Sequence, residues 1–334
     1  MKKKNILVLG GAGFIGALLC ERLLQNDNNV ICVDNFISSG EKNINHLLKL
    51  PNFKFINKDV SKGLDLDKIK DLDIFQVKVF GISEIYNLAC PTSIKNFEKL
   101  REDTVRANTV GLINALDIAV KYKAKFLQFS TSVIYGDTPR GKFITEDFQG
   151  LLDLKDERAC YDAGKFYAEA VVNTYQKVHN LDTKIIRIFR TYGPKMLLDD
   201  GQMIPDFIVN ALENKDLVII GKKQFQTSLC YVSDIVEGAM AVMKSDLNKA
   251  VNLGSPEIFK IVDVAKEIIR LTNSKSKIVF NGEELFMREL AVPDINLVKE
   301  EIGWLPIISL EDGLKKTIDF TRANKDLLTF SKDI

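Results

Sequence analysis

The strongest constraint on the fold is the alternation, through the first half of the chain, of short β-rich runs with longer segments of helical periodicity. The β-rich runs are almost continuously apolar, which is typical of strands that are covered on both faces of a sheet. Strands that alternate with helices build βαβ units and a doubly wound parallel sheet. We therefore predict an α/β fold with strands over residues 5–10, 29–34, 53–57, 83–89, 124–130 and 183–189, and helices over 14–26, 104–122 and 160–180.

This rhythm loosens after residue 189, where the stretch TYGPKMLLDDGQMIP contains two prolines and two glycines. Beyond it, helical periodicity predicts helices over 205–214, 260–271 and 310–323, with a strand over 277–280. We expect a larger domain of residues 1–188 plus about 226–250, and a smaller C-terminal α/β lobe of residues 189–225 and 251–325.

Composition excludes several classes of partner. The chain has 46 Lys and Arg against 45 Asp and Glu, so no broad field favours nucleic acid or an anionic membrane. Its five cysteines lack CxxC spacing and its two histidines are isolated, which argues against a metal site. No unbroken apolar run reaches the roughly 18 residues of a membrane-spanning helix. We expect a cytoplasmic protein with reduced thiols and no metal.

A glycine-rich turn lies directly between the first predicted strand and the first predicted helix. Gly10, Gly13 and Gly16 have GxxGxxG spacing, which allows the backbone to approach a pyrophosphate at a helix N-terminus. Asp34 ends the second strand about 20 residues later, where its carboxylate accepts ribose hydroxyls and repels a 2′-phosphate. The pattern indicates a Rossmann-type sheet that binds NAD rather than NADP.

Two later features suggest a reaction at this site. Tyr161 and Lys165 are four residues apart and therefore share one face of a helix. Lowering the pKa of a tyrosine from about 10 to about 7 requires roughly 4 kcal/mol, which a fixed ammonium and the nicotinamide charge supply in part. Three consecutive hydroxyls, Ser130, Thr131 and Ser132, end the fifth strand. A Tyr and Lys at this spacing also occur by chance, and only their order after the glycine turn makes them a site.

The chain resembles the extended short-chain dehydrogenase/reductases of the NAD-dependent epimerase/dehydratase family, from about residue 4 to 320. The motifs VIYGD, YVSDIVEGAM and VNLG carry this resemblance, while ERACYDAGK, RIFRTYGPKM and DDGQMIPDFI are closest to the UDP-glucuronate decarboxylases. The resemblance implies a nucleoside-diphosphate sugar as substrate, bound by the smaller lobe. It also implies a homodimer whose four-helix interface is formed by residues 104–122 and 160–180.

The resemblance implies roles for individual residues. Tyr161 is the general base, with Lys165 and Thr131 beside it. Asp59 is expected near the adenine amino group, and Ala89 where the chain passes the cofactor. The expected cofactor contacts are Gly10, Gly13, Phe14, Ile15, Gly16, Asp34, Asn35, Asp59, Val60, Ala89, Asn108, Tyr161 and Lys165.

Several positions depart from the family pattern. Val133 stands where these relatives have a glutamate that acts on the sugar, and an apolar side chain cannot transfer a proton. Thr227 and Ala291 stand where they have substrate-binding arginines. Arg190 replaces their asparagine, and we hypothesise that it contacts the diphosphate, together with Arg288, rather than forming a structural salt bridge. The expected substrate contacts are Ser132, Val133, Arg190, Thr191, Thr227 and Arg288.

The missing glutamate guides the functional hypothesis. C4 oxidation of the sugar needs only NAD, Tyr161, Lys165 and Thr131. We therefore favour a C4 dehydrogenase that gives a 4-keto sugar, or a C4 epimerase. The alternative is a UDP-glucuronate decarboxylase. A 4,6-dehydratase or a non-catalytic NAD-binding scaffold ranks lower.

Overall fold

The computed structural model describes residues 3–92, 98–139, 142–198, 200–220, 225–281 and 291–325. Its strands are β1 (Asn5–Leu9), β2 (Asn29–Asp34), β3 (Phe53–Asn57), β4 (Glu84–Asn87), β5 (Lys125–Thr131), β6 (Phe143–Ile144), β7 (Thr183–Ile188), β8 (Thr191–Tyr192), β9 (Leu217–Ile220), β10 (Gln226–Thr227), β11 (Cys230–Tyr231), β12 (Ala250–Leu253), β13 (Phe259–Lys260), β14 (Ile278–Asn281) and β15 (Val292–Pro293). Its α-helices are α1 (Phe14–Gln25), α2 (Val77–Phe80), α3 (Arg101–Arg106), α4 (Leu112–Tyr122), α5 (Ala159–His179), α6 (Met203–Leu212), α7 (Val232–Lys244), α8 (Ile261–Thr272), α9 (Asn296–Ile302) and α10 (Leu310–Asn324).

Seven strands form one parallel sheet in the order β12-β7-β5-β4-β1-β2-β3. β1 lies at its centre, with Leu7 opposite Ile31 of β2 on one side and Ile85 of β4 on the other. The chain leaves β1 towards β2 and later returns to pair on the opposite side, so the strand order reverses here. Such a reversal opens a crevice at the carboxyl ends of the strands. The predicted doubly wound α/β sheet is confirmed.

Helices cover both faces of this sheet. On one face α1 and α7 pack through residues such as Leu19 and Val236. On the other face α4 and α5 pack through residues such as Leu116 and Val172. All five residues of β1 are buried as a result. Burial on both faces explains why the strands read as continuous apolar runs rather than as alternating patterns.

The predicted elements agree with the observed ones, with informative differences. The helix expected over 104–122 is divided, because a π-helical turn at Ala107–Gly111 separates α3 from α4. The predicted elements include neither α7 nor β12, although β12 forms one edge of the seven-stranded sheet. β12 has only four residues, too few for a periodicity to show.

A separate hydrophobic cluster lies in the segments that we assigned to the smaller lobe. Phe207 of α6, Val264 of α8 and Leu314 of α10 contribute to it. β9 and β14 add a two-stranded parallel sheet. Phe14 of α1 packs against the same cluster, so the glycine turn lies next to it. The exact boundaries of the two domains stay a prediction.

Asp234 attaches the C-terminal segment to α7. Its carboxylate oxygen Oδ2 accepts hydrogen bonds from the backbone N–H groups of Ile307 (3.1 Å) and Ile308 (3.0 Å). The indole Nε1 of Trp304 donates to the carbonyl oxygen of Asp234 at 3.0 Å. These bonds fix the chain that enters α10, which closes the core of the smaller lobe.

We predict that Asp234→Ala lowers the free energy of unfolding by about 1–3 kcal/mol, because it removes two hydrogen bonds that are each worth about 0.5–1.5 kcal/mol. Urea denaturation followed by the fluorescence of Trp304, the only tryptophan of the chain, measures this loss. The control is Asp319→Ala, whose side chain is 73% exposed in the wild type. It is expected to cost less than about 0.5 kcal/mol. Equal losses in the two variants would contradict the role of Asp234.

Candidate active site

A cavity of about 920 Å³ opens at the carboxyl ends of the central strands. Its volume lies at the upper end of the range of about 300–1,000 Å³ that is typical of ligand sites. Residues that follow β1, β2, β3, β4, β5 and β7 line it. The lining thus combines the glycine turn, the hydroxyl-rich end of β5 and the first turn of α5. Many of the site residues predicted from the sequence do line this cavity. They are Gly10, Gly13, Phe14, Ile15, Gly16, Asp34, Asn35, Asp59, Val60, Ala89, Thr131, Ser132, Val133, Tyr161, Lys165, Arg190 and Thr191.

The glycine turn has the geometry of a phosphate cradle. Gly10 has φ of +78°, and a Cβ there would lie 2.8 Å from the backbone nitrogen of Ala89. A Cβ on Gly16 would lie 2.3 Å from the carbonyl oxygen of Gly10. Gly13 caps α1 without a side-chain hydrogen bond, and no acidic residue lies in its first turn. The N–H groups that begin α1 therefore face the cavity without a competing carboxylate, which suits a pyrophosphate.

Asp34 links the glycine turn to the end of β2. Its Oδ2 accepts from the backbone N–H of Ala12 at 3.0 Å, and its Oδ1 accepts from the N–H of Phe36 (2.9 Å) and the hydroxyl of Ser39 (2.8 Å). A carboxylate has about four acceptor positions, so these bonds hold the group in place and leave room for a ribose hydroxyl. The observed position fits the adenosine end of NAD.

Asp59 and Asn108 were both predicted to contact the cofactor, but they lie in different positions relative to the cavity. Asp59 caps a 3₁₀ turn through the N–H (2.9 Å) and hydroxyl (2.7 Å) of Ser61, and it faces the cavity. Asn108, by contrast, is not among the lining residues in the described part of the chain. Its amide nitrogen donates to the carbonyl oxygen of Thr104 (2.9 Å) and to the sulfur of Cys90 (3.2 Å). Asn108 thus supports the cavity wall from behind rather than forming its surface.

Tyr161, Lys165 and Thr131 meet at the centre of the cavity. Tyr161 and Lys165 lie one turn apart on α5, with the ammonium 5.9 Å from the centre of the phenol ring. Lys165 Nζ donates to the carbonyl oxygen of Phe129 at 3.0 Å, which fixes it beside the end of β5. Thr131 ends β5, and its hydroxyl is close enough to that of Tyr161 to lower the pKa of the phenol. Two hydroxyls and an ammonium therefore line the same part of the cavity, an arrangement that can assist removal of a proton from a bound hydroxyl.

The electrostatic setting of Tyr161 differs from the simple expectation. Burial raises the pKa of Tyr161 well above its ordinary value, and the nearby Cys90 adds to this increase. The charge of Arg158 and the nearby hydroxyl of Thr131 act in the opposite direction and lower the pKa. A low pKa is therefore not a property of the protein residues alone. It requires additional positive charge inside the cavity, which the nicotinamide ring of NAD carries.

The expected substrate contacts divide into three groups. Ser132, Val133, Arg190 and Thr191 line the cavity. Thr227 is buried behind it, and its hydroxyl oxygen accepts from Arg190 Nη1 at 3.3 Å. Arg288 lies outside the described residues. Arg190 forms no ion pair with any acidic residue of the described ranges, so the structural salt bridge that we weighed as an alternative is absent there.

The sequence is similar to those of enzymes of known function. The sequence profile of the NAD dependent epimerase/dehydratase family matches residues 6–254. The chain belongs to this family. UDP-glucuronic acid decarboxylase 1 of Xenopus tropicalis is 36% identical over 320 residues, which cover 96% of this chain and 72% of that protein. UDP-glucuronic acid decarboxylase 6 of Arabidopsis thaliana is 35% identical over 93% of this chain and 86% of that protein.

Solved structures give the same result for the fold. The crystal structure of UDP-glucuronic acid 4-epimerase from Bacillus cereus, in complex with UDP-glucuronic acid and NAD, matches with a TM-score of 0.82. It is 25% identical in sequence, and the match covers 96% of this chain and 99% of that one. As a member of this family, the protein is an NAD-dependent enzyme that modifies nucleotide sugars. In the described part of the chain, no helix has the length and apolarity to cross a membrane, and no cluster of His, Cys, Asp or Glu is suited to a metal ion.

A buried polar network lies next to the cavity of this protein and was not predicted from the sequence. Glu169 lies one turn beyond Lys165 on α5, and its Oε1 accepts from the hydroxyl of Ser130 at 2.5 Å. Arg187 of β7 donates to both carboxylate oxygens of Glu169, at 3.1 and 2.8 Å, and to the hydroxyl of Tyr135 at 2.9 Å. The spacing of 161, 165 and 169 on one helical face was the signal that pointed to this network.

We predict that Gly16→Ala weakens NAD binding by at least about tenfold, equivalent to about 1.4 kcal/mol. Its new methyl group would lie against the Gly10 carbonyl and displace the turn that receives the pyrophosphate. Isothermal titration calorimetry with NAD measures the change. Gly40→Ala is the matched control, because a Cβ at Gly40 has no neighbour within 4 Å. An unchanged affinity in Gly16→Ala would contradict the assignment of the turn as the pyrophosphate site.

Proposed function

We propose that this enzyme oxidises C4 of a nucleoside-diphosphate sugar. The observation that carries this proposal is the convergence of Tyr161, Thr131 and Lys165 at one point of the cavity. When bound, NAD accepts a hydride from the sugar carbon. Thr131 and Tyr161 would hydrogen-bond the O4 hydroxyl, and Tyr161 would take its proton as general base. Lys165, held by the Phe129 carbonyl, would stabilise the phenolate form of Tyr161.

For the step after oxidation, the relatives favour decarboxylation of UDP-glucuronate over our initial preference for a C4 dehydrogenase or epimerase. Both relatives described above are named UDP-glucuronic acid decarboxylases. A C4 ketone is β to the C6 carboxylate of a glucuronate, so carbon dioxide leaves with its electrons delocalised into the ketone. The loss of carbon dioxide itself needs no proton donor at position 133; the enolate would then take a proton at C5 from solvent, and the hydride held by the reduced cofactor would return to C4 to give the pentose. Val133 is therefore compatible with decarboxylation, and we rank this reaction first.

The second candidate is a C4 dehydrogenase or epimerase that retains every carbon of the sugar. The observation that favours it is Val133 at the cavity surface, together with Thr227 and Ala291 in place of the arginines that the family resemblance led us to expect. A 4,6-dehydratase ranks lower, because elimination of water requires an acid where Val133 stands. A non-catalytic scaffold also ranks lower, because it has no need of Tyr161 and Lys165 in catalytic geometry.

We predict that the purified protein with NAD converts UDP-glucuronate to a UDP-pentose with loss of carbon dioxide. Mass spectrometry of the nucleotide sugars after incubation measures this outcome. Tyr161→Phe should lower the rate by at least about a hundredfold, because general acid–base catalysis contributes about 10²–10⁴-fold. The control Tyr167→Phe removes a hydroxyl from an exposed position of the same helix and should leave the rate unchanged.

Other outcomes of this assay separate the candidates. A UDP-sugar acid of unchanged mass but altered configuration, or one that lacks two hydrogens, would support the second candidate. An unchanged UDP-glucuronate would direct the test to neutral nucleotide sugars. Absence of NADH formation and of any product with every nucleotide sugar tested would contradict C4 oxidation, provided that NAD binds.

We further propose that the enzyme is a homodimer through α3, α4 and α5. The helices α3 and α5 and the π-helical turn between α3 and α4 expose large apolar side chains to solvent: Val105 (44%), Val110 (46%), Phe166 (58%) and Tyr167 (44%). α3 and α5 pack against each other, so their exposed side chains form a continuous apolar surface that a second copy would cover. A two-fold axis would bring these helices into a four-helix arrangement.

We predict that Phe166→Asp shifts the dimer towards the monomer, because burying an unpaired carboxylate in an interface is strongly unfavourable. Size-exclusion chromatography with light scattering at several protein concentrations measures the mass. The matched control is Ile307→Asp, since Ile307 is 82% exposed and lies next to α7 on the opposite face of the sheet. A monomeric wild type, or a dimer that persists in Phe166→Asp, would contradict this interface.

A further inference from the structure

Two arginines face the cavity without a carboxylate partner among the described residues. Arg190 donates only to the hydroxyl of Thr227, at a long 3.3 Å. Arg158 has its guanidinium carbon 5.7 Å from the ring centre of Tyr161, and its backbone N–H, not its side chain, bonds to Asp156. Lys195 also lines the cavity, but it pairs with Glu21. Within the described ranges, the two arginines thus differ from this neighbouring cation in having no ion-paired carboxylate.

The two guanidinium groups are close enough to affect each other. Burial lowers the pKa of Arg190, and the charge of Arg158 lowers it further, to about 10. Two like charges in a partly buried cavity repel each other and lose hydration, which is unfavourable unless an anion compensates both. Such an arrangement therefore indicates a site whose counter-charge arrives with a ligand.

Val133 and Arg190 both line the cavity. A glutamate at position 133 would add a negative charge to the same cavity surface, whereas Val133 adds none.

We propose that Arg158 and Arg190 jointly bind one oxyanion of the substrate next to Tyr161. This inference rests on the proposed function, because it assigns a group of the same nucleotide sugar. Arginine suits the role, since its planar fork binds two oxygens of a carboxylate or a phosphate at once. The oxyanion is either the sugar carboxylate or a phosphate of the diphosphate.

The test measures binding rather than turnover, so that it does not depend on the reaction. NAD-loaded wild type, Arg158→Gln and Arg190→Gln are titrated by calorimetry with inorganic pyrophosphate, UDP, GDP, UDP-glucose and UDP-glucuronate. The matched control is Arg270→Gln, which removes the same charge from an exposed arginine that is paired with Glu267 and Glu311. Thermal unfolding of each variant without ligand reports any structural role.

We expect both cavity variants to weaken binding of the same probes by at least about tenfold, equivalent to about 1.4 kcal/mol and within the range for charged hydrogen bonds. The double variant should lose less than the sum of the two, because both groups hold one anion. Without ligand, the unfolding temperature of each cavity variant should equal or exceed that of the wild type, because a repulsion has been removed. The control should bind as the wild type does.

The probes identify the source of the oxyanion. Weaker binding of UDP, GDP or pyrophosphate assigns the arginines to the diphosphate. Unchanged binding of these probes and of UDP-glucose, with weaker binding of UDP-glucuronate alone, assigns them to the sugar carboxylate. The proposal is overturned if the affinity for every probe stays within about twofold of the wild type in both variants. It is also overturned if the wild type binds none of the probes at millimolar concentration, or if the variants lose stability in proportion to affinity. Binding that depends on both arginines without any C4 oxidation would instead refute the proposed function alone.

Discussion

The attachment of one face of α5 to the end of β5 determines the geometry of the candidate site. Glu169, Lys165 and Tyr161 follow each other at one-turn intervals, and each lies against a different residue at the end of β5. Glu169 binds the hydroxyl of Ser130, Lys165 binds the carbonyl of Phe129, and Tyr161 meets Thr131. The ion pair of Glu169 with Arg187 is buried, so breaking it by removing one partner would cost about 3–5 kcal/mol. This pair ties α5 to β7, the strand next to β5, and so helps to hold Tyr161 near Thr131.

The same network extends to the segment that carries the altered position. The hydroxyl of Tyr135 accepts from Arg187 and donates to the Asn252 side chain at 2.6 Å. Tyr135 ends the 3₁₀ turn that begins at Ser132, so Val133 lies between two anchored residues. A change of side chain at position 133 therefore alters the chemistry of the cavity surface while its backbone remains held. Specificity at this point is separable from the stability of the fold.

Sequence reasoning succeeded where the physical cause is local or strictly periodic. The glycine turn was recognisable because Gly10 needs a left-handed φ and Gly16 has no room for a Cβ. The sheet strands were recognisable because both faces of the sheet are buried. The π-helical turn around Asn108 was missed, because it follows from side-chain contacts with residues distant in sequence, such as Cys90.

Arg187 and Arg158 were missed for the same reason. Their roles depend on partners that come from other strands and loops, and no spacing along the chain encodes these contacts. Tyr161 and Lys165 could be recognised as a pair, but the burial that raises the pKa of Tyr161 could not. The enzyme family was thus more accessible from the sequence than the electrostatics of the site.

The charged positions that depart from the family pattern compensate one another in formal charge. Relative to that pattern, the chain loses one acid at Val133, loses two arginines at Thr227 and Ala291, and gains one arginine at Arg190. These changes cancel in formal charge, although Thr227 lies behind the cavity surface. Arg190 donates to Thr227, and the charge of Arg158 acts on it. In the binding mode that we propose, an anion of the substrate supplies the counter-charge, and an apolar residue at position 133 adds no competing carboxylate to the same cavity. On that proposal, the absent glutamate and the added arginine are parts of one change in how the substrate is held next to Tyr161.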